Sequence, residues 1–168
     1  MIEKYRRCVM GLGKLNETVK KLQTRQEIEA SDKWKIEDIY ASDEAWRSDF
    51  SKLEKMIESP CELKGKIGQS ASNLYEALKE SDDCDWMVER IYVYAFMKYY
   101  EDTTNPTYQE LSGKAQGVAV KSGAKYAFMV PEILEIPEAV LEGFLKEDIM
   151  SLFVHYINDL LIKRAYFI

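Results

Sequence analysis

Histidine is almost absent from this chain: His155 is the only one in 168 residues. The zinc centre of a peptidase needs two imidazoles and a carboxylate around an open position, and an activated serine or cysteine needs a base beside it. His155 and Asp159 fall at i and i+4 on one expected helix face, which supplies two ligands and no complete set. Cysteine is scarce too. Cys8, Cys61 and Cys84 are odd in number and lack CxxC spacing, so they point to buried or idle thiols rather than a disulfide framework or a zinc site. No GxSxG turn and no phosphate-binding glycine fingerprint occurs. Four prolines and eight glycines exclude collagen-like and low-complexity classes. No apolar run approaches the roughly 20 residues of a spanning helix, and the stretch nearest the start, Cys8 to Leu12, is too short for a signal-peptide core. A cytoplasmic protein is expected.

What is present is an ordinary globular composition, 46% apolar and 31% charged, in a 19.5 kDa chain. A chain of that size can bury roughly 70% of its unfolded surface in one core. The net charge of -6 opposes binding to phosphate backbones and anionic lipid, so neither nucleic acid nor a membrane is an expected partner. The charge is uneven. Lys4, Arg6, Arg7, Lys14, Lys20, Lys21 and Arg25 meet only Glu3, Glu17 and Glu27 in the first 28 residues, a pattern read as a solvated helix face.

Hydrophobic spacing predicts an all-α fold, an array of about seven helices in antiparallel pairs. Tyr5, Cys8, Leu12, Leu15, Val19 and Leu22 alternate steps of three and four, the seam of an amphipathic helix that needs a partner. From Thr24 to Ala41 the chain reads as irregular, anchored by Trp34 and Tyr40. Ser42 offers an N-cap to a helix carrying Trp46, Phe50, Leu53 and Ile57, ending near Pro60. A loop at Gly65 to Gly68 leads to a short helix over 70–80, and Asp82, Asp83 and Asp85 are read as opening the next. Its inner stripe is Val88, Ile91, Tyr92, Ala95 and Tyr99, with Tyr94 and Phe96 widening it. Pro106 suits a first helical position, with Tyr108, Leu111, Ala115 and Val118 following. Small residues at Gly113, Ala115, Gly117, Ala119, Gly123 and Ala124 suggest close helix approach. Pro131 and Pro137 bracket a short turn, Val140, Leu141 and Phe144 mark another helix, and Ile149, Leu152, Phe153, Tyr156 and Leu160 the last.

Carboxylates gather at Glu37 and Asp38, at Asp82, Asp83 and Asp85, and at Glu101 and Asp102, where capping competes with acid/base chemistry as an explanation. Tyr92, Tyr94, Tyr99, Tyr100, Tyr108 and Tyr126 concentrate on two consecutive helices. Their half-polar rings fit either a core with hydroxyls at its rim or a peptide-binding or interdomain groove.

Several short segments, in order and at the right spacing from Leu22 to Arg164, resemble the N-terminal helical region of oligoendopeptidase F, within the thimet-like zinc metallopeptidases. They include Leu22-Gln23-Thr24-Arg25 with Glu27-Ile28, Trp34-Lys35-Ile36-Glu37-Asp38-Ile39-Tyr40 and Ser42-Asp43-Glu44-Ala45-Trp46. Further along come Tyr92-Val93-Tyr94-Ala95, Glu101-Asp102-Thr103-Thr104-Asn105-Pro106, Val130-Pro131-Glu132-Ile133-Leu134, and His155-Tyr156 with Leu160-Leu161.

The resemblance implies a helical lobe that helps wall an oligopeptide channel, the zinc being held elsewhere by a His-Glu-x-x-His helix and a downstream Glu. None of those positions occurs here, so no catalytic, metal-binding or cofactor-binding residue is carried over, and no substrate-binding residue is assigned. Gln23 stands where the family has Pro, 21 residues precede the match, and the chain stops at Ile168. That division gives residues 1–21 as an extension and 22–168 as the lobe, and implies a truncated or frameshifted product or an expressed fragment. The expected partner is the missing catalytic portion or a second copy, as a homodimer through the N-terminal seam and the Tyr166, Phe167, Ile168 tail. A free-standing helical module that binds a protein or peptide is the alternative from another class. A small enzyme working with carboxylates alone is the third.

Overall fold

The structure is a computed structural model that describes residue 23 and residues 27–166, with side chains through Lys163. The expected seam over residues 5–22, Cys8 and the tail at Phe167 and Ile168 lie outside the described residues. The chain divides into two units, Met1–Trp34 and Lys35–Ile168. The described part of the first holds a 3-10 turn, Ala30–Asp32. The second unit holds the core.

Six segments carry its architecture: α1 Asp43–Glu58, α2 Ala71–Glu101, α3 Pro106–Tyr126, α4 Met129–Glu135, α5 Glu138–Phe144 and α6 Val154–Tyr166. No strand occurs among the described residues, so the all-α expectation holds. Local chemistry sets the starts. The Ser42 hydroxyl accepts from the amide of Ala45, and Asp43 and Glu44 lie in the positive first turn of α1. Ser70 caps α2 through the amide of Asn73, and the Asn105 side chain caps α3 through Thr107 with Pro106 at the first position.

Among the described residues there are fewer separate helices than expected, because residues 71–101 form one. Asp82, Asp83 and Asp85 do not open a helix; they sit in the middle of the 31-residue α2. Acids are tolerated there because all three are exposed, and Lys79 pairs with Asp83 one turn on. Pro131 lies inside α4 at its third position, where a helix has no use for an amide donor, so it does not end a helix.

The core is built on α1, α2 and α3. The indole of Trp46 donates to the Ile91 carbonyl at 2.9 Å and the Tyr94 hydroxyl to Asp43 at 2.7 Å, which runs α1 antiparallel to α2. Cys84 meets Ser122 at 3.3 Å and Lys98 lies over the Tyr108 ring, which runs α3 antiparallel to α2. Ile36 and Tyr40 close one end, and Met150, Phe153 and Ile157 bring the last segment onto the same cluster. The final stripe is offset from expectation. Ile149, Leu152 and Tyr156 are exposed, because the 3-10 turn Asp148–Met150 ahead of α6 shifts the phase and turns Met150 and Ile157 inward.

The glycines of α3 take no part in the expected close approach, whereas Ala115 is buried. A methyl group built on Gly113, Gly117 or Gly123 would meet nothing within 4 Å; the inward small residues are Ser112, Ala115 and Ser122.

Candidate functional site

Apart from Cys8, the residues singled out for chemistry lie among the described residues. His155 and Asp159 are both exposed on α6. Cys61 is half-buried and Cys84 buried, both as free thiols. Among the described residues no group of three His, Cys, Asp or Glu side chains could hold a metal ion. These residues do not fit a zinc centre, and no zinc chemistry follows from them.

The carboxylate clusters separate by role. Glu37 and Asp38 lie in a 3-10 turn, Ile36–Asp38, with Asp38 paired to Lys35. Asp102 ends α2, and its carboxylate accepts from both the amide and the hydroxyl of Thr104. These contacts hold its carboxyl below the usual aspartate value. Asp85 accepts from Ser122, yet partial desolvation pushes its carboxyl up, with Asp82 adding to the shift. Asp82, Asp83, Asp85 and Glu89 line a surface hollow of about 670 Å³ with Lys79, Trp86 and Leu152. A second hollow, of about 340 Å³, lies between Gly65, Ile67 and Gly68 and the residues Glu132 to Pro137. There Glu132 is already engaged, both oxygens accepting from the amide of Gly65 at 2.9 Å.

The tyrosines divide between the core and the surface. Tyr94 and Tyr126 are core residues with hydroxyls bonded to carboxylates. Burial drives both phenols up, and the adjoining Asp43 and Glu80 add to it. Tyr92 faces outward, contrary to its expected place in the inner stripe, and Tyr94 takes the inner position. Tyr92, Phe96, Tyr99 and Tyr100 instead form an aromatic cluster on the outer face of α2, with Tyr92 and Phe96 stacked at 4.2 Å.

Two polar assemblies had no local signal in the sequence. Glu80 accepts from Lys125 at 2.8 Å, from Tyr126 at 2.9 Å and from the Cys61 thiol, while Lys125 also donates to the Met56 carbonyl. Burial alone would raise the Glu80 carboxyl; the Lys125 ammonium and Tyr126 hydroxyl outweigh it and hold the group below its ordinary value. Arg90 donates to the Ile39 carbonyl and lies over the rings of both Tyr40 and Trp86. Both assemblies tie α1 and its approach to α2 and α3. They order the scaffold, and their polar groups are taken up within it.

Comparison with known proteins decides the lineage. Over 146 residues, 86% of this chain, it is 38% identical to oligopeptidase PepF of Bacillus subtilis. It is 31% identical over the same share to a plasmid oligoendopeptidase F of Lactococcus lactis. The chain is a relative of the oligoendopeptidase F peptidases. It spans about a fifth to a quarter of the length of these relatives, 22% and 24%. The crystal structure of an oligoendopeptidase-F from Enterococcus faecium matches 73% of this chain and 24% of its own, with a TM-score of 0.68 at 27% identity. A solved structure from Chlamydophila abortus shares the fold, with a TM-score of 0.73 at 18% identity. No family model matches the chain. The residues of the resemblance to oligoendopeptidase F therefore carried a true relationship.

Proposed function

We infer that this chain serves as a helical lobe of an oligoendopeptidase F-like zinc metallopeptidase, without catalytic residues of its own, that helps form the channel admitting oligopeptides. The observation that carries this is the match to the Enterococcus faecium oligoendopeptidase-F, which is global in fold over most of this chain and confined to a quarter of that one. Supporting it, the part-buried polar pair of Glu80 with Lys125 is spent on an internal tie, which suits a rigid wall better than a reaction centre. Zinc belongs to the complete peptidase in this reading, and the partners are its catalytic portion or a second copy of this chain.

A chimera tests it. Residues 23–166 replace the corresponding region of Bacillus subtilis PepF, and cleavage of fluorogenic oligopeptides is measured beside the isolated chain. The chimera is expected to fold and cleave, while the isolated chain stays silent. Chelator-sensitive cleavage by the isolated chain that survives His155→Ala would overturn the reading. So would a folded, zinc-loaded chimera that cleaves nothing. Light scattering tests the second-copy partner: self-association at micromolar concentration is expected, and a species that remains at 19.5 kDa on concentration removes that part of the proposal.

A further inference from the structure

The outer face of α2 is more apolar than a solvated helix face should be. Steps of four, three, four, three and four align Asp82, Trp86, Glu89, Val93, Phe96 and Tyr100 along one side, a stripe roughly 27 Å long. Trp86 is 59% exposed and Tyr100 71% exposed. At one end the stripe continues across the hollow to Leu152 of the segment before α6, itself 68% exposed. The aromatic cluster of Tyr92, Phe96, Tyr99 and Tyr100 stiffens the other end, since stacked rings lose little further freedom when covered. Large aromatic side chains in one exposed row on a small domain are characteristic of a recognition surface.

Charge decides what fits it. Asp82, Asp83, Asp85 and Glu89 flank the Trp86 end. Among the described residues Asp82 and Glu89 have no cation partner, and Asp85 bonds only to the Ser122 hydroxyl. The cations nearby are engaged: Lys79 pairs with Asp83, Arg90 is held between Ile39, Tyr40 and Trp86, and Lys98 lies over the rings of Tyr94 and Tyr108. A second copy docked with its α2 parallel would oppose these carboxylates to their own kind, an antiparallel one would leave them against uncharged rings, and an anionic lipid surface would be repelled.

We propose that the outer face of α2 is a docking surface for a lysine- or arginine-rich amphipathic peptide segment. The segment lies along the stripe as a helix, its apolar side chains on Trp86, Val93, Phe96 and Tyr100 and its cations against Asp82, Asp85 and Glu89. The residues of the face all belong to this chain, so the inference does not rest on the peptidase reading.

Fluorescence anisotropy with the full chain tests it, using two labelled peptides of about eighteen residues, the length that spans the stripe. Both carry leucine and phenylalanine at helical spacing; one has lysine at the remaining positions and the other glutamate. The lysine peptide is expected to bind at least about tenfold tighter than the glutamate peptide, and to weaken about fivefold as salt rises across the physiological range and beyond. Val93→Ser with Tyr100→Ser should weaken it about tenfold or more, and Asp82→Asn with Glu89→Gln about fivefold, with the circular dichroism of the variants unchanged. Equal binding of the two peptides overturns the proposal, as does saturable binding that neither pair of substitutions reduces. Absence of binding at any soluble concentration also overturns it. Self-association of the chain that the Val93→Ser, Tyr100→Ser variant abolishes would assign the face to a second copy and likewise overturn it.

Discussion

Replacing Lys125 with Met removes an ammonium and keeps most of the apolar stem, so the loss isolates the polar contacts at the junction of α1, α2 and α3. The Lys125 side chain is 8% exposed and its partner Glu80 32%. Lys125 gives two hydrogen bonds of 2.8 Å, one to the Glu80 carboxylate and one to the Met56 carbonyl. Breaking a fully buried pair costs about 3–5 kcal/mol because a charge is stranded, and a third of Glu80 still reaches water, which places the expected loss at about 2–3 kcal/mol. For a chain of this length that lowers Tm by about 4–10 °C.

The pH dependence supplies a second readout. Glu80 titrates below its ordinary value of 4.5 in the folded chain. A depressed carboxylate contributes stability that is present above its unfolded value and disappears as the pH falls through the folded one. Lys125→Met removes the strongest of the contacts that depress it. The gap in Tm between the parent and the variant should therefore be full at neutral pH and narrow as the pH falls below 4.5. Thermal unfolding followed by far-UV circular dichroism measures both. A loss under about 0.5 kcal/mol at neutral pH, or a gap that stays constant into acid, would refute the reasoning, since a surface-like pair is all that such values describe.

Two other perturbations follow from the same geometry. Gly117→Ala and Gly123→Ala lie inside α3 where a new methyl meets nothing within 4 Å, so each should stabilise by about 0.5–1 kcal/mol and together raise Tm by several degrees in a thermal scan; a fall in Tm would reveal a packed face. Tyr94→Phe deletes the 2.7 Å bond to Asp43 and should cost about 1–2 kcal/mol in denaturant unfolding, against almost nothing for Tyr100→Phe at the exposed end of the same helix. In the parent chain burial holds the Tyr40 phenol up at about 12, so the stability it contributes is full below pH 10 and lost as the pH rises through that folded value; absorbance titration should show the buried tyrosines ionising only with unfolding.

What the sequence disclosed and what it hid differ in range along the chain. Ser42, Ser70 and the Asn105-Pro106 pair announce helix starts because a cap acts within three residues of itself. The run Asp82, Asp83, Asp85 imitates such a start. It fails as one because the apolar period of Ala77, Leu78, Cys84 and Ile91 continues beneath it, and burial of that stripe outweighs the local preference of aspartate for caps. Near Ile149 and Leu152 the period itself was legible and its phase was not, since one 3-10 turn is enough to rotate the stripe and has no distinct composition. The small residues of α3 were conspicuous as a composition, yet whether they pack depends on which side of the helix they occupy, and Gly113, Gly117 and Gly123 are on the open side. The ties that fix the scaffold were invisible. Glu80 and Lys125 are 45 residues apart, as are Trp46 and the Ile91 carbonyl, and no local pattern can pair them. The outer face of α2 lies between these cases. Its aromatics stood out in the sequence, but only the inward turn of Tyr94 separates the structural tyrosines from those that Phe96 gathers at the surface. The proposed docking face thus belongs to one helix whose inner side is fixed by distant contacts. A substitution at Asp43 or Glu80 would disturb the face only by loosening α2 itself, whereas one at Val93 or Tyr100 would act on the face and leave the scaffold intact.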